Sequence, residues 1–217
     1  PLSLLTIMKT QKSPYNASFT AASMAFYEMN AVLPYLMKDC SKETVKKIEE
    51  DASILQIQSL SARKRTLSEL VKRFKVMPVS FWESYLQLGE TAQRLDLFFV
   101  ILKTYKLLFE FQINYLLEKF NSASPVFSTE EVLIALNEIG ANDELVDSWT
   151  DETKKKIISV YQVMLKQIGF LNAENGEISR LDIDKELFVR YIRLGEDWFL
   201  QACLLPLYEI ENIKKLA

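Results

Sequence analysis

Apolar residues recur at helical spacing along most of the chain. Within residues 60–74 they follow the i, i+3, i+4, i+7 pattern of one helix face. Residues 95–117 are apolar on nearly all sides, as expected of a central helix that other helices surround. An earlier helical stretch over residues 21–38 contains Pro34, which is expected to kink or split it because proline lacks an N–H donor. These patterns predict an all-α fold, mainly a helical bundle, over residues 1–122.

After residue 122 the pattern changes. The polar stretch NSASP at 121–125 is typical of a domain boundary. A capping box at 128–131 and Thr150 then begin two helices, with a short element between them. The pair Asn175-Gly176 is a strong hairpin signal with strand-like neighbours. Short strand, helix, short helix, longer helix and hairpin is the order of a winged helix-turn-helix. Residues 123–217 are therefore predicted to be winged-helix-like, with one short β-hairpin and C-terminal helices that pack back on the bundle.

Composition excludes most enzyme classes. The chain has 217 residues and no His, which removes Ser-His-Asp and Cys-His catalysis and His metal ligands. Cys40 and Cys203 form no CxxC pair and have apolar neighbours, so they are predicted to be buried free thiols in a reducing cytoplasm. P-loop, GxGxxG, GxSxG and EF-hand patterns are absent from the sequence, as is any run of about 20 apolar residues. The predictions are no enzyme, no cofactor, no metal, no membrane span and a cytoplasmic location.

Charge is distributed unevenly. The net charge is −3, but residues 1–122 carry 16 basic and 12 acidic side chains, whereas residues 123–217 carry 10 and 17. The stretch SARKRTLSELVKRFK at 61–75 holds six basic residues and one acid, which accounts for the positive sign of the first half. On a helix, Arg65 and Lys72 lie opposite the apolar stripe.

This basic helix has three interpretations, which the sequence leaves open. With Arg73 and Lys75 on its flanks, the outward face can neutralise several phosphates of a nucleic acid. The same face is also expected of an ordinary solvated helix, and it suits an acidic protein partner.

A second basic group lies in the first turn of the third predicted winged-module helix. Lys154, Lys155 and Lys156 stand where that module presents residues to DNA. Asp151 and Glu152 precede them, however, and acids in a first turn are ordinary partners of the helix dipole. Winged helices also serve as protein-binding modules.

Three stretches resemble the BrxA family, the small component of BREX phage-defence systems: YNASFTAAS at 15–23, ILQIQSLSARKRTLSELVKRF at 54–74 and the aromatic helix after Leu95. No catalytic motif marks this family. The stretch AAS at 21–23 departs from it, because a Gly-containing stretch is expected there. The resemblance implies a bundle similar to the NusB antitermination fold, joined to winged-helix-like features. It also implies double-stranded DNA binding beside larger BREX proteins that carry the enzymatic work.

The resulting prediction is a non-enzymatic DNA-binding accessory protein of phage defence. The alternatives are a protein–protein adaptor within a defence complex and an RNA-binding, antitermination-like factor. The resemblance carries over five phosphate contacts, and the charge pattern adds four more. The candidate nucleic-acid contacts are Arg63, Lys64, Arg65, Lys72, Arg73, Lys75, Lys154, Lys155 and Lys156.

Overall fold

The structure is a computed structural model that describes residues 12–217. The first eleven residues of the predicted bundle lie outside this range. Helices dominate the described chain, which confirms the mainly helical class. The likeness to the NusB fold stays a prediction.

Within residues 12–122, a 3-10 turn is followed by eight α-helical segments. In chain order these are Ser18–Ala21 (3-10), α1 (Phe26–Lys38), α2 (Lys42–Glu50), α3 (Ala52–Leu55), α4 (Leu60–Phe74), α5 (Val79–Tyr85), α6 (Glu90–Thr104), α7 (Lys106–Glu110) and α8 (Leu117–Phe120). A π-helical segment, Phe111–Leu116, joins α7 to α8. The helix α1 runs through Pro34 without being split.

The second half contains six helices. They are α9 (Thr129–Gly140), α10 (Glu144–Asp147), α11 (Asp151–Ile168), α12 (Lys185–Arg193), α13 (Trp198–Ala202) and α14 (Leu207–Lys214). The predicted caps are confirmed at two of them. The Ser128 hydroxyl accepts from the Glu131 N–H at 3.2 Å, and the Thr150 hydroxyl accepts from the Thr153 N–H at 3.2 Å. Gly169 ends α11 with φ +97°, a conformation that favours glycine.

The predicted β-hairpin, and with it the winged-helix assignment, is not supported. Over residues 12–217 no strand forms, and the turn at 175–176 has only isolated antiparallel bridges beside it. These bridges pair Val126 with Glu177 and Leu171 with Ile178. Phe170 and its neighbour Leu171 are both buried, whereas a half-buried strand alternates between its two faces. The chain turns into the core at this point instead of extending as a strand.

The single central helix predicted over residues 95–117 is interrupted at Tyr105, and a π-helical segment follows α7 within it. Tyr105 separates α6 from α7 with an extended backbone, φ −123° and ψ 100°. Its ring is fully buried and its hydroxyl faces α4. The break therefore brings a polar group to the inner side of the basic helix.

One hydrophobic core includes residues from both halves of the chain. The helix α11 packs against α6, and α9 packs against the π-helical segment. Asp96 of α6 is completely buried and accepts hydrogen bonds from Arg190 Nη1 and Tyr191 Oη of α12, each at 2.6 Å. Cys203 lies in the same core. The division of the chain near residue 122 stays a prediction.

None of the helices within residues 12–217 combines the length and apolar character that crossing a bilayer requires.

Candidate nucleic-acid interface

The helix α4 presents a stripe of polar residues to solvent. Ser59 caps it by accepting from the Ala62 N–H at 3.4 Å, and its first turn contains no acid. Leu67, Leu70 and Phe74 are buried. The outward positions recur every three to four residues, which keeps them on one face. They are Ser61, Arg65, Ser68, Lys72 and Lys75.

Arg63 lies inside the protein and not on this outward face. Only 6% of it is exposed. Its guanidinium donates to three backbone carbonyls: Glu49 O at 2.8 Å, Ile57 O at 2.6 Å and Gln58 O at 2.8 Å. Arg63 thus fastens the end of α2 and the linker before α4, and it is not accessible to a phosphate in this structure.

Arg73 was predicted on the flank of the outward face, and this placement is wrong. The side chain is completely buried. It donates to Ser23 O at 2.5 Å, Met24 O at 2.8 Å and Tyr105 Oη at 3.3 Å. Ser23 and Ala25 have φ values of +50° and +49°, which cost energy in residues other than glycine. Arg73 therefore holds a strained segment against α4.

Glu69 is the one acid of the basic stretch, and the charge pattern did not mark it as part of the site. It is buried, and its carboxylate accepts from Lys72 Nζ at 2.8 Å and from Tyr105 Oη at 2.5 Å. Burial by itself raises the pKa of Glu69, but hydrogen bonds from Lys72 and Tyr105 outweigh it, so the net pKa is lowered. The only available signal was its position three residues before Lys72.

Lys72 is the junction between this buried network and the surface. Its ammonium also donates to Ser18 Oγ of the 3-10 turn at 2.8 Å. The side chain nevertheless keeps 41% of its surface exposed. An ammonium has three N–H donors, and three acceptors face this one: Ser18 Oγ, and Glu69 Oε1 and Oε2 at 2.8 and 3.0 Å. A phosphate at Lys72 would therefore have to share or displace one of these hydrogen bonds.

Arg65 and Lys75 are the least engaged basic residues of α4. Both are exposed. Arg65 makes one long hydrogen bond, from Nε to Ser61 O at 3.4 Å. Among the described residues, no ion pair or side-chain hydrogen bond involves Lys75. Lys64 is exposed as well but pairs with Glu49 at 3.1 Å.

The second basic group also contains one lysine that is bonded within the protein and two that are exposed. Lys154 is partly buried and donates from Nζ to Asn137 Oδ1 of α9 at 3.0 Å. Lys155 and Lys156 are exposed. Both α11 and α4 contact the 3-10 turn at Ser18–Ala21, but the predicted hairpin that would complete a winged module beside α11 does not form.

Two stretches that suggested the family resemblance meet at this site. Residues 15–23 supply Ser18 and the Ser23 carbonyl, while residues 54–74 supply Glu69, Lys72 and Arg73. These positions hold the 3-10 turn against α4 and fix which face of α4 points outward. Over residues 12–217, no group of three His, Cys, Asp or Glu residues could hold a metal ion.

Two comparisons with known proteins indicate the same family. A family model described as BrxA matches residues 13–193. The BREX protein BrxA from Bacillus cereus (strain H3081.97) is 28% identical over 196 residues, which cover 86% of this chain and 94% of that protein. The crystal structure of an uncharacterized protein from Magnetospirillum magneticum has a TM-score of 0.74 at 20% identity, over 88% of this chain and 98% of that one. That last likeness concerns the fold alone.

Proposed function

The chain belongs to the BrxA family, and we propose that it is a non-enzymatic accessory protein of a BREX phage-defence system that binds double-stranded DNA. It contacts phosphates through the outward stripe of α4. Other proteins of the same system are its proposed partners.

The observation that carries this proposal is the composition of the stripe. Arg65, Lys72 and Lys75 alternate with the hydroxyls of Ser61 and Ser68 along one exposed face. At a rise of 1.5 Å per residue the stripe is about 21 Å long. Cationic side chains and serine hydroxyls are the groups that proteins use to bind phosphate oxygens. The lack of an acid in the first turn also leaves the positive end of the helix dipole unopposed.

The stripe is suited to phosphate contacts more than to base recognition. Arg65 can donate in a bidentate manner to one phosphate, whereas Lys72 is fixed in position by Ser18 and shares its charge with the Glu69 carboxylate. Lys155 and Lys156 of α11 form a second candidate contact, which rests only on their exposure.

A charge-reversal variant tests the proposal directly. Arg65→Glu with Lys75→Glu changes two exposed side chains, so the fold is expected to be retained. We expect the affinity for a DNA duplex, measured by mobility shift, to fall by more than about tenfold. The slope of log K against log salt is expected to decrease by about 2, because each lost phosphate contact removes about one unit.

The matched control is Lys166→Glu with Lys185→Glu, which reverses two exposed cations on other helices. It should bind DNA nearly as the native protein does. Equal loss in both variants would mean that only net charge matters, and an unchanged shift for the α4 variant would reject the stripe. Competition between duplex DNA and structured RNA separates this function from the RNA-binding alternative.

A further inference from the structure

The first part of the second half is acidic and contains no basic residue. Residues 121–153 hold eight carboxylates and neither Lys nor Arg. Among the described residues only one of the eight, Glu131, forms an ion pair, with Lys119 at 2.8 Å. Glu138, Glu144 and Asp147 are exposed. This surface repels a nucleic acid and attracts a cation.

Exposed apolar side chains lie within the same acidic surface. Ile134 of α9 is 57% exposed and Leu145 of α10 is 45% exposed. Ile134 and Glu138 are four residues apart, so they are neighbours on the same face of α9. The exposed Ala141 continues this face toward α10. We refer to Ile134, Glu138, Ala141 and Leu145 as the α9–α10 face.

A cleft of about 310 Å³ lies beside this face. The helix α9 forms one wall and the π-helical segment forms another. Aromatic rings and carboxylates line the cleft. Lys106 already pairs with Glu110 at 2.8 Å and lies over the Tyr15 ring, whereas Glu138 and Asp143 form no ion pair within residues 12–217. The lining includes Tyr15, Phe111, Tyr115, Glu110, Glu138 and Asp143. Rings together with carboxylates are favourable surroundings for an ammonium or guanidinium group.

We propose that the α9–α10 face is a docking site for a basic amphipathic segment of a partner protein. Apolar side chains of that segment cover Ile134 and Leu145, and one of its Lys or Arg side chains enters the cleft beside Glu138. The helix α9 has twelve residues, and its length of about 18 Å matches roughly three turns of a partner helix.

Charge complementarity selects this occupant. A nucleic acid is disfavoured because the exposed carboxylates of this surface repel its phosphates. An acidic or purely apolar protein segment would leave those carboxylates without a partner. Docking of this kind is independent of the α4 stripe, because the α9–α10 face and the stripe belong to different helices.

A labelled synthetic peptide provides the probe. It is an 18-residue helical peptide with Leu on one face and Lys and Arg elsewhere, and its binding is followed by fluorescence anisotropy. We expect Ile134→Ser with Glu138→Lys to raise the Kd for this peptide at least tenfold. The same variant should shift duplex DNA at least as well as the native protein. This separates failure of the docking proposal from failure of the DNA proposal.

The matched control is Leu86→Ser with Glu83→Lys at the C-terminal end of α5, where Leu86 is 39% exposed and Glu83 is exposed. We expect this control to leave the Kd within about twofold of the native value, as surface changes away from an interface do. Equal weakening by both variants would overturn the proposal. It would also be overturned by equal binding of a scrambled peptide with no apolar face. Self-association of the native protein that Glu138→Lys removes would identify a second copy as the occupant, which likewise contradicts it.

Discussion

At the scale of single residues, the three arginines of α4 differ in role although they are close in sequence. Arg63 and Arg73 are buried, whereas Arg65 is exposed. The apolar stripe marks only part of the buried face. At about 100° per residue, the polar residues Thr66, Glu69 and Arg73 extend the buried arc by about 100° beyond the last apolar position. The sequence could not reveal this, because their hydrogen-bond partners lie on distant segments.

The buried hydrogen bonds of Arg73 are expected to contribute strongly to the stability of the fold. Replacing it by Met leaves the carbonyls of Ser23 and Met24 without their donor and removes a charge from the Glu69 network. We expect Arg73→Met to lower the free energy of unfolding by about 3–5 kcal/mol, as breaking a buried charged network does. Urea denaturation measures the change. Lys75→Met is the control and should alter it by less than about 0.5 kcal/mol. A small effect at Arg73 would show that its hydrogen bonds contribute little.

Glu69 makes a prediction about pH. Its pKa in the folded chain is lowered below the ordinary value of 4.5. Below that pH the unfolded chain binds more protons than the folded one, so the stabilisation is present above pH 4.5 and is lost as the pH falls through the folded pKa. Glu69→Gln removes this contribution.

We expect Glu69→Gln to be less stable than the native protein at neutral pH by about 1–3 kcal/mol. The two free energies of unfolding should converge as the pH falls below 4.5. Chemical denaturation at a series of pH values measures both. A difference that stays constant down to the acid limit would mean that the carboxylate is not stabilised by Lys72 and Tyr105.

At the scale of elements, local sequence signals predicted several helix boundaries correctly. Ser128, Thr150 and Gly169 act where the sequence indicates, because caps depend on residues within a few positions of one another. Elements defined by distant contacts were predicted poorly. The hairpin fails because Phe170 and Leu171 both enter the core. The break at Tyr105 follows from its hydroxyl reaching Glu69 of another helix.

The start of α1 shows the same limit. The sequence predicts a helical stretch over residues 21–38, but α1 begins at Phe26. Ser23 and Ala25 before it adopt positive φ, the conformation that a glycine would adopt at lower cost. The Gly-containing stretch expected from the family resemblance is consistent with this geometry. Here the carbonyls of Ser23 and Met24 accept hydrogen bonds from Arg73 instead.

At the scale of the whole molecule, opposite charges occupy different helices. The stripe of α4 is basic, whereas residues 121–153 contain acidic side chains and neither Lys nor Arg. The sequence showed this separation in its charge totals, but only the structure distinguishes which cations are accessible. Two proposed surfaces can therefore act at once, one toward DNA and one toward a protein.

The family match ends at residue 193, yet the chain after it belongs to the core. Phe199 packs edge-on against Phe99 of α6 at 5.1 Å between ring centroids. Gln112 of the π-helical segment donates to Ala202 O at 2.5 Å. The C-terminal helices thus pack against elements of the first half of the chain.

Because Cys203 is buried, the rate at which its thiol reacts with a reagent reports how often the C-terminal helices open transiently. Cys40 is partly exposed, whereas Cys203 is almost completely buried, and desolvation raises its thiol pKa well above the usual value. Since the thiolate is the reactive form, a maleimide dye should attach promptly to Cys40 alone. In a Cys40→Ser variant, the slow attachment of one dye to Cys203, followed by mass spectrometry, then measures how often the C-terminal helices detach. Prompt double labelling would mean that those helices are loosely held.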